Sequence, residues 1–211
     1  TILLNQNQTL SLMINHIIAF LVMLNPFALF IYLDPIRRDL DSKSFNIVLL
    51  KATLISFLIC AVFVASGNFF FQHVLLINFE AFRIFGGIII FSLAYYFIIK
   101  GQKALIHMKE NLDDLASEIA LPFMVGAGTI SLSVIMSNEL DLITGFISLF
   151  VIFLINLLLI LGLTYFRKEI DKKKMRIAFD KNMEILLRLN GFFIGAIGVN
   201  MIHLGIVSLY L

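Results

Sequence analysis

Charged side chains are what this sequence has least of. Asp, Glu, Lys and Arg make up 14% of its 211 residues against 60% hydrophobic, where soluble domains average about 25% charged and about 45–50% apolar. None of the four occurs in 1–33, 52–79, 84–99, 119–138, 142–166 or 189–211. Bilayer hydrocarbon about 30 Å thick is crossed by roughly 20 apolar residues of helix, longer than the apolar stretch of an ordinary buried core helix. The windows exclude a water-soluble enzyme and predict six membrane spans. Cysteine is nearly missing too: Cys60 stands alone in an apolar run, which excludes an intrachain disulfide and a thiolate metal site. No metal and no cofactor is expected. Net charge is only +2 and the basic residues are scattered through the linkers, so no nucleic acid partner is expected. No H-E-x-x-H, G-x-S-x-G or buried carboxylate pair occurs, which speaks against an enzyme. The first window lacks the basic start and small-residue cleavage pattern of a signal peptide.

The charges that are present carry orientation, because Lys and Arg near span ends are retained in the cytoplasm. The first connection holds Arg37, Arg38, Lys43 and Lys51, and the third holds Lys100, Lys103 and Lys109. The fifth holds Arg167, Lys168, Lys172, Lys173, Lys174, Arg176, Lys181 and Arg188. Connections two and four hold only Arg83. Basic residues thus alternate by parity, the pattern of six true spans with both termini outside the cytoplasm. The short third window, 84–99, needs Arg83 and Lys100 to snorkel at its ends. Segment 167–188 reads as a solvated cytoplasmic loop with a headgroup-facing helix.

Proline is equally scarce. Pro35 ends the first span in an Asp34-Pro35 turn, but Pro26 and Pro122 fall inside the first and fourth windows. The third span opens on Arg83-Ile84-Phe85-Gly86 and the sixth on Arg188-Leu189-Asn190-Gly191. Two halves of three spans, 1–105 and 106–211, therefore share a breaker in the first span and Arg-x-x-Gly at the start of the third. Three is odd, so the second half enters the membrane in the opposite sense. The expected fold is an all-α integral membrane protein of six helices, two inverted three-helix repeats with broken first and fourth helices. Paired breaks in corresponding spans point to a transporter site at the midplane. Pro26 lacks an N–H and clashes with the carbonyl four residues back, and Asn25 is placed to cap the helix that restarts. Beyond Pro122, Gly126 and Gly128 permit unwinding and Thr129 is placed to cap the resumed helix. Two half-helix N-termini would then face inward, a seat for a carboxylate.

Ionised groups are absent at depth, which argues against a voltage sensor or a carboxylate-relay pump and for a substrate without net charge. The polar residues that remain are Asn25, Asn156, Asn200, Ser131, Ser133, Tyr95, Tyr96, His16 and His203. Most such groups serve as glue between helices. Imidazole is the side chain whose unperturbed pKa lies near neutrality, so His16 and His203 are the candidates for proton coupling. Gly191, Gly195 and Gly198 have the spacing of close helix packing.

Asn25-Pro26-Phe27, Arg83 to Ile88, Pro122 through Gly126-Ala127-Gly128-Thr129-Ile130, and Arg188-Leu189-Asn190-Gly191 to Gly205, in this order, resemble the MarC or neutral amino acid transporter family of six-span inner-membrane proteins. The likeness runs nearly end to end. It implies a secondary transporter moving small neutral amino acids such as glycine and alanine, outward. The chain departs from the family pattern at Ala28-Leu29-Phe30, where a glycine and second proline are usual, at Ala127, where Gly-Pro-Gly is usual, and at Glu118. The expected substrate-binding residues are Asn25, Pro26, Phe27, Pro122, Gly126, Ala127, Gly128 and Thr129, joined by Asn156 and Asn200. Arg83, Gly86, Arg188 and Gly191 are the expected structural anchors. Partners are a small neutral amino acid and the lipid bilayer, with room for a homo-oligomer. The competing reading is a non-transporting assembly or regulatory subunit whose breaks serve packing alone. A passive channel would need a charged or carbonyl ring that the sequence lacks.

Overall fold

The computed structural model describes residues 2–100, 124–170 and 172–210. Every regular element among them is helical: α1 (Ile2–Leu24), α2 (Pro26–Tyr32), α3 (Asp34–Asp39), α4 (Ser42–Ser66), a short π-helix (Phe70–Val74), α5 (Phe79–Lys100), α6 (Ala127–Glu139), α7 (Leu142–Glu169) and α8 (Lys173–Tyr210). Five stretches among the described residues are long and apolar enough to span a membrane: Asn7–Tyr32, Ser42–Ser66, Phe79–Lys100, Leu142–Glu169 and Lys173–Tyr210. The fourth expected window begins outside the described residues, as does Pro122, and its described part is α6.

Sequence chemistry sets the helix ends. Asp41 accepts hydrogen bonds from the amides of Lys43 and Ser44 at 3.1 and 3.3 Å and starts α4. Asp141 accepts from the Thr144 amide at 3.0 Å and starts α7. Both are side-chain caps of orphan N–H groups. Gly67, at φ 51°, ends α4 in a left-handed turn that glycine adopts without a Cβ penalty. The first span ends at Tyr32, just before Asp34-Pro35 as expected, and Pro35 occupies the first turn of α3, where its missing N–H is no loss. One expectation is corrected here. Segment 167–188 holds far less loop than expected: α7 runs through Glu169 and α8 begins at Lys173, so all its basic residues except Lys172 ride on helix. At 38 residues and 1.5 Å rise, α8 is about 57 Å long and overshoots the hydrocarbon.

Burial follows helix faces. On α4, Phe45, Val48, Leu49, Ala52, Ser56, Cys60 and Val64 face inward, while Leu50, Leu54, Leu58 and Val62 are more than half exposed on the outside. An apolar stripe of that length in water would aggregate; against lipid it is the expected surface. The principal core joins residues of α1, α4, α6 and α7. Beside it α5 and α8 lie antiparallel in close contact. A Cβ on Gly87 would stand 2.6 Å from the Gly198 carbonyl oxygen, and one on Gly198 would stand 2.9 Å from that of Gly87. Lipid tails are as apolar as side chains, so this backbone approach, and not a hydrophobic drive, holds the two helices together.

Candidate substrate site at two helix breaks

Asn25 separates α1 from α2. It takes the left-handed conformation, φ 46° and ψ 72°, which Asn tolerates better than most residues. Its side-chain Oδ1 accepts from the Ala28 amide at 3.1 Å. Pro26 brings no N–H and that of Ala28 is taken, so the carbonyls of Val22 and Leu24 are released from the helical ladder. Asn190 of α8 donates its Nδ2–H to the Val22 carbonyl at 3.0 Å. The expectation that α2 presents an open N-terminus needs amending: it has seven residues, begins with proline and is capped by its own Asn25.

Of the second expected break only the part from Met124 onward is described: Gly126, extended at φ −139° and ψ 179°, stands at the start of α6. Thr129 is the third residue of the helix and not its N-cap. Its Oγ1 accepts from the Gly126 amide at 3.0 Å and donates to the Gly126 carbonyl at 3.1 Å, which ties the turn shut. Met23, two residues before the first break, covers Gly128: a Cβ there would meet Met23 Cε at 2.1 Å and Ile90 Cδ1 at 2.6 Å. Gly86 of α5 faces Ala127, whose Cβ would lie 2.9 Å from a Cβ at 86. Both breaks are thus packed against one another and against α5.

Asn25, Thr129, Ser131 and Asn156 are all buried. Asn25 Nδ2, Ser131 Oγ and both polar atoms of Asn156 have no hydrogen-bond partner among the described residues. Phe27 packs against the cluster of Ala28, Phe30, Ile31, Phe97, Met183 and Leu187, which fills the space between the breaks and the Asp34 end. Asn200 and His203 lie exposed on the outer face of α8 and are not brought to the breaks. Gly191 packs its Cα against Ala94 and Ile98. Arg188 donates to the Ile98 carbonyl at 2.9 Å and to Glu184 at 3.0 Å, and Arg83 pairs with Glu80 at 3.4 Å.

Each end of this region is closed by polar side chains. At one end Arg167 forks onto Asp180, with Nε–Oδ1 2.6 Å and Nη2–Oδ2 2.8 Å, and reaches Asp34 Oδ1 with Nη1 at 2.7 Å. Asp34 also accepts from Arg37 at 2.6 Å and from Arg38 at 2.7 Å. Burial alone would raise the Asp34 pKa, but the hydrogen bond from Arg37 and the charges of Arg167 and Arg37 outweigh it and hold the carboxyl below its ordinary value. At the other end His16, buried, lies 3.0 Å from Glu139 Oε2 through its Nε2. Sequence reading singled out His16 but not Glu139, and missed Asn190 and the Asp34–Arg167–Asp180 chain. Partners 123 and 133 residues apart leave no local signal, although Asn190 sits within the Arg188–Gly191 motif.

The model of the MarC family, integral membrane proteins, matches residues 10–210. A UPF0056 membrane protein of Pyrococcus horikoshii is 23% identical over 89% of this chain and 90% of its own length. One of Methanocaldococcus jannaschii is 27% identical over 87% and 90%, and the Bacillus subtilis UPF0056 membrane protein YvbG 26% identical over 76% and 77%. No solved structure matches the chain.

Proposed function

The chain belongs to the MarC family of integral membrane proteins, and from that premise we propose that it is a secondary transporter, an exporter of small neutral amino acids such as glycine and alanine. In this reading it lies in the inner membrane with both termini outside the cytoplasm, and its six spans form two inverted repeats. The observation that carries the proposal is the meeting of the helix break at Asn25 with the start of α6 at Gly126, together with buried polar atoms that have no partner among the described residues. Interrupted helices in corresponding positions are where secondary transporters hold substrate. Support for the repeat comes from Asp41 and Asp141, 100 residues apart, which start the second helix of each half at φ −67°, ψ 156° and φ −65°, ψ 156°.

The thirteen-residue α6 points its first-turn amides and partial positive charge at the region between the breaks, where a carboxylate is favoured. The freed Leu24 carbonyl suits an ammonium. With no ionised side chain in the charge-free windows, a zwitterion of zero net charge is admitted at less expense than an ion. Alternating access then means opening the Arg167 cluster and the His16–Glu139 pair in turn, with His16 the candidate for carrying a coupled proton. His203, on the outer face, is left out of this scheme.

Proteoliposomes loaded with labelled alanine or glycine test the reading. Wild type is expected to conduct, and Asn25→Ala and Thr129→Val to lower flux by about tenfold, the equivalent of one hydrogen bond of about 1.4 kcal/mol. Unchanged flux in both variants removes the breaks from the site. A ligand at a hundred times its Kd stabilises by about 2.7 kcal/mol; no thermal shift with either amino acid favours the non-transporting subunit.

A further inference from the structure

Buried polar atoms without partners are rare in folded proteins and each is destabilising, the more so where no water competes. Among the described residues, three of those at depth sit on two asparagines: Asn25 Nδ2, Asn156 Nδ2 and Asn156 Oδ1. Asn25 is 2% exposed and Asn156 not at all.

The helix geometry places the two side by side. Asn156, Ile160, Leu163 and Arg167 recur at the spacing of one face of the unbroken α7. Leu163 of that stripe packs on the cluster containing Ala28, Phe30 and Ile31 of α2. Arg167 of the same stripe reaches Asp34 at 2.7 Å. Asn156 therefore faces the α1–α2 strand of the bundle. It stands eleven residues from Arg167, about 17 Å along the axis, while Asn25 stands nine residues from Asp34, about 14 Å at the same 1.5 Å rise. The two amides thus come to within about one helical turn of the same depth.

We propose that Asn25 and Asn156 form a paired amide seat for the head group of the transported solute, a zwitterion whose carboxylate takes the two Nδ2–H donors and whose ammonium donates to Asn156 Oδ1. The seat rests on the transporter reading and adds to it the atoms that select the head group. An amide pair has donors and an acceptor but no charge, so it matches a ligand that carries both signs close together. A solute with only one of the two leaves part of Asn156 unmatched. Asn156 is held at the expense of stability: nothing among the described residues hydrogen-bonds its side chain, and a leucine of similar shape would pack there without an orphaned group.

The experiment heats purified wild type and Asn156→Leu with a fluorogenic maleimide that reports the exposure of Cys60, the single cysteine, which is buried. Glycine, alanine, propionate and ethylamine are the probes. Wild type is expected to gain Tm with glycine and alanine but not with propionate or ethylamine. Asn156→Leu is expected to raise the ligand-free Tm by about 2–4 °C and to lose the response to both amino acids. A lower ligand-free Tm, or failure of the variant to fold, shows Asn156 to be a satisfied structural amide and overturns the seat. Wild type and variant responding alike to alanine overturns the seat and leaves the transporter reading standing. Wild type deaf to both amino acids overturns the two together.

Discussion

Arg167 offers the sharpest test of what holds the Asp34 end closed. Its side chain is 8% exposed and makes three hydrogen bonds of 2.6–2.8 Å to two carboxylates on different elements. Such bidentate, charge-assisted contacts are the strong kind. Arg167→Met keeps the apolar stem and removes only the guanidinium. Removing one partner of a fully buried ion pair is destabilising by about 3–5 kcal/mol. Here two facts reduce that figure. Asp34 keeps Arg37 at 2.6 Å and Arg38 at 2.7 Å, and Asp180, 33% exposed, recovers some hydration. About 2–3 kcal/mol remains, which for a chain of this length lowers Tm by roughly 4–12 °C. The measurement is the Cys60 maleimide melt in mild detergent, repeated in an Asp180→Asn background. With Asp180 already neutral, no orphaned carboxylate is left at 180, so Arg167→Met is expected to lower Tm there by clearly less. A wild-type-like Tm for Arg167→Met, or the same drop in both backgrounds, would refute the buried-bridge account and reduce the cluster to a surface pair of the kind that contributes about 0–1 kcal/mol.

Acid is expected to loosen the same end. The folded-state pKa of Asp34 lies below its ordinary 3.8, so its contribution is complete above about pH 4 and is lost as pH falls through the folded value. Asp34→Asn should flatten the acid limb of Tm against pH without erasing it, because the helix-capping Asp41 and Asp141 are also lowered, each chiefly by a side-chain hydrogen bond, from Ser44 and Thr144; an unaltered limb would show that Asp34 is not held ionised by its arginines. At the α5–α8 interface, Gly198→Ala puts a methyl 2.9 Å from the Gly87 carbonyl oxygen and the Phe91 amide nitrogen, both backbone. Overpacking of that sort is destabilising by about 1–3 kcal/mol, while Gly162→Ala, where a Cβ meets nothing within 4 Å, serves as the matched control; equal melts for the two would mean that the helices do not approach as closely as described.

The helices were legible in the sequence because hydrocarbon admits almost no other backbone, and the first break was legible because Pro26 removes a donor wherever it stands. Direction was harder. Asn200 and His203 read as buried polar groups, yet both face outward. The signal that would have placed them was present: Leu187, Gly191, Ile194, Gly198, Met201 and Gly205 recur every three or four residues and are the buried stripe of α8. Asn200 and His203 each follow a member of that stripe by two positions, which turns them away from it. The 167–188 island misled for a different reason. Its charges read as solvent, but a helix prolonged beyond the bilayer solvates them equally well, and Arg167 is turned inward by carboxylates from distant elements.

The fate of the polar side chains at depth separates glue from site more cleanly than their positions do. Four buried hydroxyls provide for themselves: Thr53 donates to Leu49, Ser56 to Ala52, Ser133 to Thr129 and Ser148 to Thr144, each to a carbonyl four residues back at 2.7–2.8 Å. One short donor and one carbonyl of the same helix suffice. An asparagine has donors and an acceptor at opposite edges of its amide, and its own helix cannot satisfy both. Asn190 finds the carbonyl that Pro26 set free. Asn25 meets half its need by capping α2. Asn156, in the middle of an unbroken helix with no released carbonyl of its own, meets none among the described residues. In a lipid setting the amide left over after its own helix has satisfied itself is therefore the informative residue, and the proposed seat pairs it with the one at the first break.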